Sequence, residues 1–225
     1  MEQYKKDFIE FMVRSNALTF GDFVTKSGRR TPFFINTGSY STGSRLALLG
    51  RYYAEALRQN LGDGFDVLFG PAYKGIPLAA AASMALSAHY SRDVSFCFNR
   101  KEAKDHGEGG VMVGHNLRAG DRVVIIEDVV TAGTSVRESV PLIKGGSEAS
   151  VVGLIVSVDR MERGRQGGAG ALDELSEEFG FEAFAIVNLN EIVGYLHNRA
   201  IDGAVALDDA VAERIAEYRR AYGCR

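Results

Sequence analysis

RVVIIEDVVTAGTS, residues 122 to 135, runs four apolar residues into Glu127 and Asp128 and then into a segment of small and hydroxylated residues. A short, unbroken apolar run bounded by turn-forming residues reads as a strand buried on both faces. The VRESVPLIKGG that follows has helical spacing, so the stretch predicts strand, loop, helix. In an open parallel sheet, ligands sit beyond the carboxyl ends of the strands, which is where the two acids fall. Two carboxylates there can accept hydrogen bonds from adjacent sugar hydroxyls. The backbone N–H groups of about residues 131 to 135 are expected to converge on an anion at the helix N-terminus, helped by the Thr and Ser hydroxyls. On pattern alone, an acid pair and a cap that merely end a strand and begin a helix are the plain alternative.

Working outward, FDVLFG, DVSFCFN, SVVGLIVSVD and FEAFAIVNL are further short β-rich runs. They alternate with helical segments at 75 to 90, 134 to 144 and 170 to 179. Upstream, residues 3 to 15 and 43 to 60 place Phe8 and Met12, then Leu46, Leu49, Tyr53 and Leu57, on single helical faces. The segment from 207 to 223 spaces Val211, Ile215 and Tyr218 for a helix, with Asp208 and Asp209 early and Arg219 and Arg220 late, as the helix dipole favours. Strands alternating with helices predict an α/β fold with a central, mostly parallel sheet flanked by helices, in one domain over residues 1 to 225. RKEAKDHGEGG, residues 100 to 110, lacks a bulky apolar anchor and reads as a mobile surface loop.

The net charge of -3 argues against a general nucleic-acid binder, so any basic site must be local. The stretch GIPLAAAASMALSAHY is too short to span a bilayer comfortably, and the charged N-terminal segment is unlike a secretory signal. Cys97 and Cys224 lie far apart with neither zinc nor disulfide-framework spacing, which suits a reducing cytoplasm. No GK[ST] follows a GxxxxG spacing and no GxGxxG opens a βαβ unit, which weakens nucleoside triphosphate and dinucleotide readings.

IIEDVVTAGTS resembles the phosphoribosyl-diphosphate (PRPP) motif of type I phosphoribosyltransferases. Within them, KSGRRTPFFINTG (26 to 38), FGPAYKGIPLA (69 to 79), NRKEAKDHGEGG (99 to 110) and VDRMERG (158 to 164) resemble the orotate phosphoribosyltransferases. Glu127 stands where many members of the family carry Asp. The resemblance implies a type I phosphoribosyltransferase fold, with a small hood from about residues 1 to 40 and a mobile catalytic loop at about 99 to 111. It implies transfer of phosphoribose from PRPP to orotate, giving orotidine 5'-monophosphate and pyrophosphate in pyrimidine biosynthesis. Mg2+ is implied, held mainly through PRPP with no metal ligand assigned to the chain, as is a homodimer.

By that resemblance, PRPP contacts run from Glu127 and Asp128 through Val129, Val130, Thr131, Ala132 and Gly133 to Thr134 and Ser135. Tyr73 and Lys74 belong to a diphosphate loop, in which Gly70 and Gly75 are expected to let the backbone approach pyrophosphate closely. Arg100, Lys101, Lys104 and His106 form a cationic lid that neutralises the leaving group and keeps water out; Lys101 is expected to act in the neighbouring subunit's site. Lys101, Lys104, His106 and Asp128 are the catalytic candidates. Orotate is assigned to Phe33, Phe34, Thr131, Arg160 and Lys26, and Lys26 also to PRPP. Arg160 offers a bidentate partner for a carboxylate, while either phenylalanine is equally a core residue, since neighbours in a strand point opposite ways. Two competing functions are transfer to another nucleobase and a non-catalytic PRPP-sensing regulator on the same scaffold.

Overall fold

The computed structural model describes residues 1–25, 28–104, 110–145 and 147–224. Helix α1 (Gln3–Arg14) leads into the hairpin of β1 (Leu18–Val24) and β2 (Arg30–Ile35), then a 3-10 turn (Thr37–Ser39) and α2 (Gly43–Leu61). β3 (Val67–Phe69), α3 (Gly75–Tyr90), β4 (Ser95–Lys104), β5 (Gly110–Gly114), β6 (Arg122–Glu127) and α4 (Thr134–Gly145) follow. The remainder comprises β7 (Ser150–Asp159), α5 (Ala171–Phe179), β8 (Glu182–Asn188), α6 (Leu189–Leu196), the short β9 (Ala200–Ile201) and β10 (Ala204–Val205), and α7 (Asp209–Tyr222).

Among the described residues, six strands form the central sheet in the order β5-β4-β3-β6-β7-β8. The pairings β4 to β3, β3 to β6, β6 to β7 and β7 to β8 are parallel, and β5 lies antiparallel at the edge. Alternation along the strands divides the core between two faces. Leu68, Val124 and Ile126 pack with α1, α2 and α3, whereas Val67, Phe69, Val123 and Ile125 pack toward α4 and α5. Burial on both faces explains why RVVIIE is an unbroken apolar run. The hairpin β1–β2 pairs antiparallel apart from this sheet.

The expected mobile loop at 100 to 110 is corrected in part. Residues 100 to 104 continue β4, with Asn99 opposite Met112 and Lys104 opposite Gly110 in an antiparallel ladder. The backbone of β5 supplies the partner that the charged side chains gave no sign of, and an edge hairpin tolerates such charge, with Lys101 and Glu102 exposed. Residues 105 to 109 of that expected loop lie outside the described residues.

Candidate active site

β6 ends at Glu127, and the chain turns through residues 128 to 133 into α4. Both acids are largely buried, at 7% exposure for Glu127 and 6% for Asp128. Their backbone is fixed from two sides. The fully buried Tyr53 of α2 donates its hydroxyl to the Glu127 carbonyl at 2.7 Å, and Ser157 of β7 donates Oγ–H to the Asp128 carbonyl at 2.6 Å. Burial pushes the Glu127 carboxyl above its ordinary range, and the Ser135 hydroxyl, donating to Glu127 Oε1 at 2.5 Å, works against that rise.

Asp128 is the meeting point of three segments. Its Oδ2 accepts from Lys74 Nζ at 2.7 Å and from Thr37 Oγ1 at 2.8 Å, while Oδ1 accepts the Val129 amide at 2.8 Å. Lys74 immediately precedes α3, so the proposed diphosphate loop and the acid pair touch directly. Beside them opens a cleft of about 230 Å3 whose lining includes Thr37, Tyr40, Leu46, Lys74, Pro77 and Asp128. A helix leaves its first amides without intrahelical acceptors, so the start of α4 presents donors one turn downstream of the acids. Gly133 enters that helix at φ +68°, a left-handed conformation that costs a side-chain-bearing residue more.

In the expected diphosphate loop, Gly70 and Gly75 face one another and close the turn on itself. A Cβ added at Gly70 would lie 2.2 Å from the Gly75 carbonyl oxygen, and one at Gly75 would lie 2.7 Å from the Gly70 carbonyl carbon. The Ala72 amide donates to Asn99 Oδ1 at 2.9 Å, tying the loop to β4. Tyr73 is 68% exposed, and Lys101 Nζ of the same chain stands 5.1 Å from the centre of its ring. Arg100 also lies on β4, as does the backbone of Lys104; His106 and Lys26 lie outside the described residues.

Arg160 follows the last residue of β7. Its Nη2 is 2.7 Å from Glu162 Oε1 and its guanidinium carbon lies 5.3 Å from the centre of the Phe33 ring. Among the described residues its buried Nε has no hydrogen-bond partner. The two phenylalanines part company. Phe33 is 1% exposed and packs edge-on against Tyr218, so the expectation that its ring meets the base is corrected: it belongs to the core and underlies Arg160. Phe34 is 45% exposed and stacks with Phe23 of β1. Thr131 and Thr134 are exposed, as is Ala132, and Val129 and Val130 are half-buried along the loop.

Three contributors escaped the sequence reading: Thr37, Tyr53 and Ser157. Tyr53 carried a usable signal, because a tyrosine on an apolar helical face needs a partner for its hydroxyl when buried. Thr37 and Ser157 gave none: the contact of Ser157 comes from β7 lying beside β6, and that of Thr37 from a turn outside the sheet that reaches across 91 positions.

A family model for the phosphoribosyl transferase domain matches residues 37–185. The chain is 57% identical over 225 residues to an orotate phosphoribosyltransferase of Clostridium acetobutylicum, covering 100% of both. It is 48% identical over 224 residues to one of Cellvibrio japonicus, covering 99% of each. The crystal structure of an orotate phosphoribosyltransferase from Francisella tularensis superposes with a TM-score of 0.82 at 37% identity, over 96% of this chain and 99% of that one. Likeness across essentially the whole chain, in sequence and in fold, makes this protein a member of the orotate phosphoribosyltransferases within the phosphoribosyltransferase family.

Proposed function

We propose that the chain transfers the 5-phosphoribosyl group from PRPP to orotate, giving orotidine 5'-monophosphate and pyrophosphate in UMP biosynthesis, as a Mg-dependent homodimer. The observation that carries this reading is the contact of Lys74 Nζ with Asp128 Oδ2 at 2.7 Å, which joins the acid pair and the diphosphate loop at one point beyond the strand ends. In this reading Glu127 and Asp128 accept the ribose hydroxyls, and the amides from Thr131 to Ser135 receive the 5'-phosphate. A sugar hydroxyl arriving at Asp128 Oδ2 competes with Thr37 and Lys74, and the freed ammonium is then available to the diphosphate.

Breaking the bond at the anomeric carbon leaves positive charge on the ribose and negative charge on pyrophosphate, so catalysis is mainly electrostatic stabilisation and alignment. Arg100, Lys101, Lys104 and His106 supply cations to the leaving group, with Lys101 acting in the partner subunit's site. Lys26 serves PRPP or orotate. Arg160 receives the orotate carboxylate, and the exposed Phe34 and Thr131 border the base.

Among the described residues no three of His, Cys, Asp and Glu converge to hold a metal. Two acids at a phosphate site suit Mg2+, which is commonly held by one or two carboxylates plus substrate phosphates and water. Held mainly through PRPP beside Glu127 and Asp128, such an ion would supply positive charge to the diphosphate. Among the described residues no helix is long and apolar enough to cross a membrane, and Cys97 and Cys224 are both free thiols, in keeping with a cytoplasmic enzyme. The direct test mixes protein, orotate, PRPP and Mg2+ and follows the near-ultraviolet absorbance of orotate. A PRPP-dependent loss is expected; turnover of a purine alone would overturn the assignment.

A further inference from the structure

The loop after β7 carries more than Arg160. Asp159 Oδ1 accepts the Met161 amide at 2.8 Å, and Met161 adopts a left-handed backbone at φ 53°. Residues 161 to 163 then pair with 222 to 224. The Arg163 amide donates to the Tyr222 carbonyl at 3.0 Å, and the Cys224 amide donates to the Met161 carbonyl at 2.9 Å. This brace brings the Glu162 side chain, which is 14% exposed, against three donors. Oε1 accepts from the Tyr218 hydroxyl at 2.7 Å and meets Arg160 Nη2 at 2.7 Å, while Oε2 accepts from Arg29 Nη1 at 3.1 Å.

We infer that Glu162 is a positioning residue for base recognition: it holds Arg160 in the orientation that receives the carboxylate of orotate, with Arg29 and Tyr218 fixing Glu162 in turn. The inference rests on the proposed role of Arg160. Two guanidiniums share one carboxylate, so the cluster keeps a net positive charge for an incoming anion. Glu162 engages Arg160 through Nη2, and a carboxylate ligand matches a guanidinium fork in both charge and geometry. The Phe33 ring beneath Arg160 and the edge of Tyr218 against that ring limit where the guanidinium can swing. Without Glu162, the two arginines would repel one another and Arg160 would lose its anchor.

The test measures KM for orotate, KM for PRPP and kcat in the wild-type enzyme, Arg160→Ala, Glu162→Ala and the double variant. Glu162→Ala is expected to raise the orotate KM about tenfold while the PRPP KM stays within about twofold. In the Arg160→Ala background the same change should add less than about twofold, because a residue acting through Arg160 has nothing left to act on. An unchanged orotate KM in Glu162→Ala, a parallel rise in both KM values, or a full additional effect in the double variant overturns the inference. If Arg160→Ala itself leaves the orotate KM unchanged, the role given to Arg160 fails and takes this inference with it. Should Glu162→Ala not fold, Glu162→Gln, which keeps an accepting oxygen and drops the charge, is read by the same additivity criterion.

Discussion

Replacing Tyr53 with Phe removes one oxygen and leaves the ring, so no cavity opens in the fully buried site. What is lost is the 2.7 Å hydrogen bond to the Glu127 carbonyl. Burial holds the Tyr53 phenol well above its ordinary pKa, so it remains a donor throughout the working pH range. A buried carbonyl deprived of its partner costs about 1–3 kcal/mol. For a chain of this length each kcal/mol moves the thermal midpoint by about 2–4 °C, so a fall of roughly 2–12 °C is expected by circular dichroism. The carbonyl belongs to the first acid of the pair, so the lost anchor should also raise the PRPP KM more than the orotate KM. An unchanged midpoint would refute the energetic argument, and a lowered midpoint with equal changes in the two KM values would refute the link from α2 to the acids.

Given the proposed role of Lys101 at the departing diphosphate, Lys101→Ala is expected to lower kcat more than it raises the PRPP KM; steady-state kinetics showing equal losses would count against that role. Mixing Lys101→Ala with Asp128→Ala should restore part of the activity if sites are shared between subunits, and verified mixed dimers that stay inactive would reject the sharing. Burial raises the Glu127 carboxyl, so its neutral form persists to higher pH than in an ordinary carboxylate, and the ionised acceptor is lost earlier as acid is added. The PRPP KM should therefore rise as pH falls through that elevated range, and a wild-type profile matching that of Glu127→Gln would disprove it. Gly70→Ala drives a Cβ to within 2.2 Å of the Gly75 oxygen, and overpacking of this kind costs about 1–3 kcal/mol; a urea midpoint equal to wild type would contradict the tight turn.

The sheet was legible where physics writes a continuous signal. RVVIIE is buried on both faces, and its apolar run and terminal acids gave the strand and its end directly. β5 was not legible, because a few apolar residues between glycines acquire meaning only from the β4 backbone beside them. β2 fell inside the stretch 26 to 38 and β1 only inside the expected hood, and neither was read as a paired strand, since their register comes from contacts across a turn. In the site, Asp128 and Lys74 were found from their local settings, but their direct contact spans 54 positions. Thr37 reaches Asp128 across 91. Phe33 and Phe34 illustrate the limit of pattern: alternation separates their faces, and only the position of α7 decides which one is inside.

The self-closed turn of Gly70 and Gly75 bears on how affinity is apportioned. A loop already locked in the free protein surrenders little conformational entropy when an anion arrives, whereas a floppy glycine loop would surrender about 1–2 kcal/mol for each backbone residue it ordered. In the proposed role of Lys74, recognition at this corner would be set by exchange of the Asp128 carboxylate for the oxygens of a phosphate, and so would weaken as ionic strength rises.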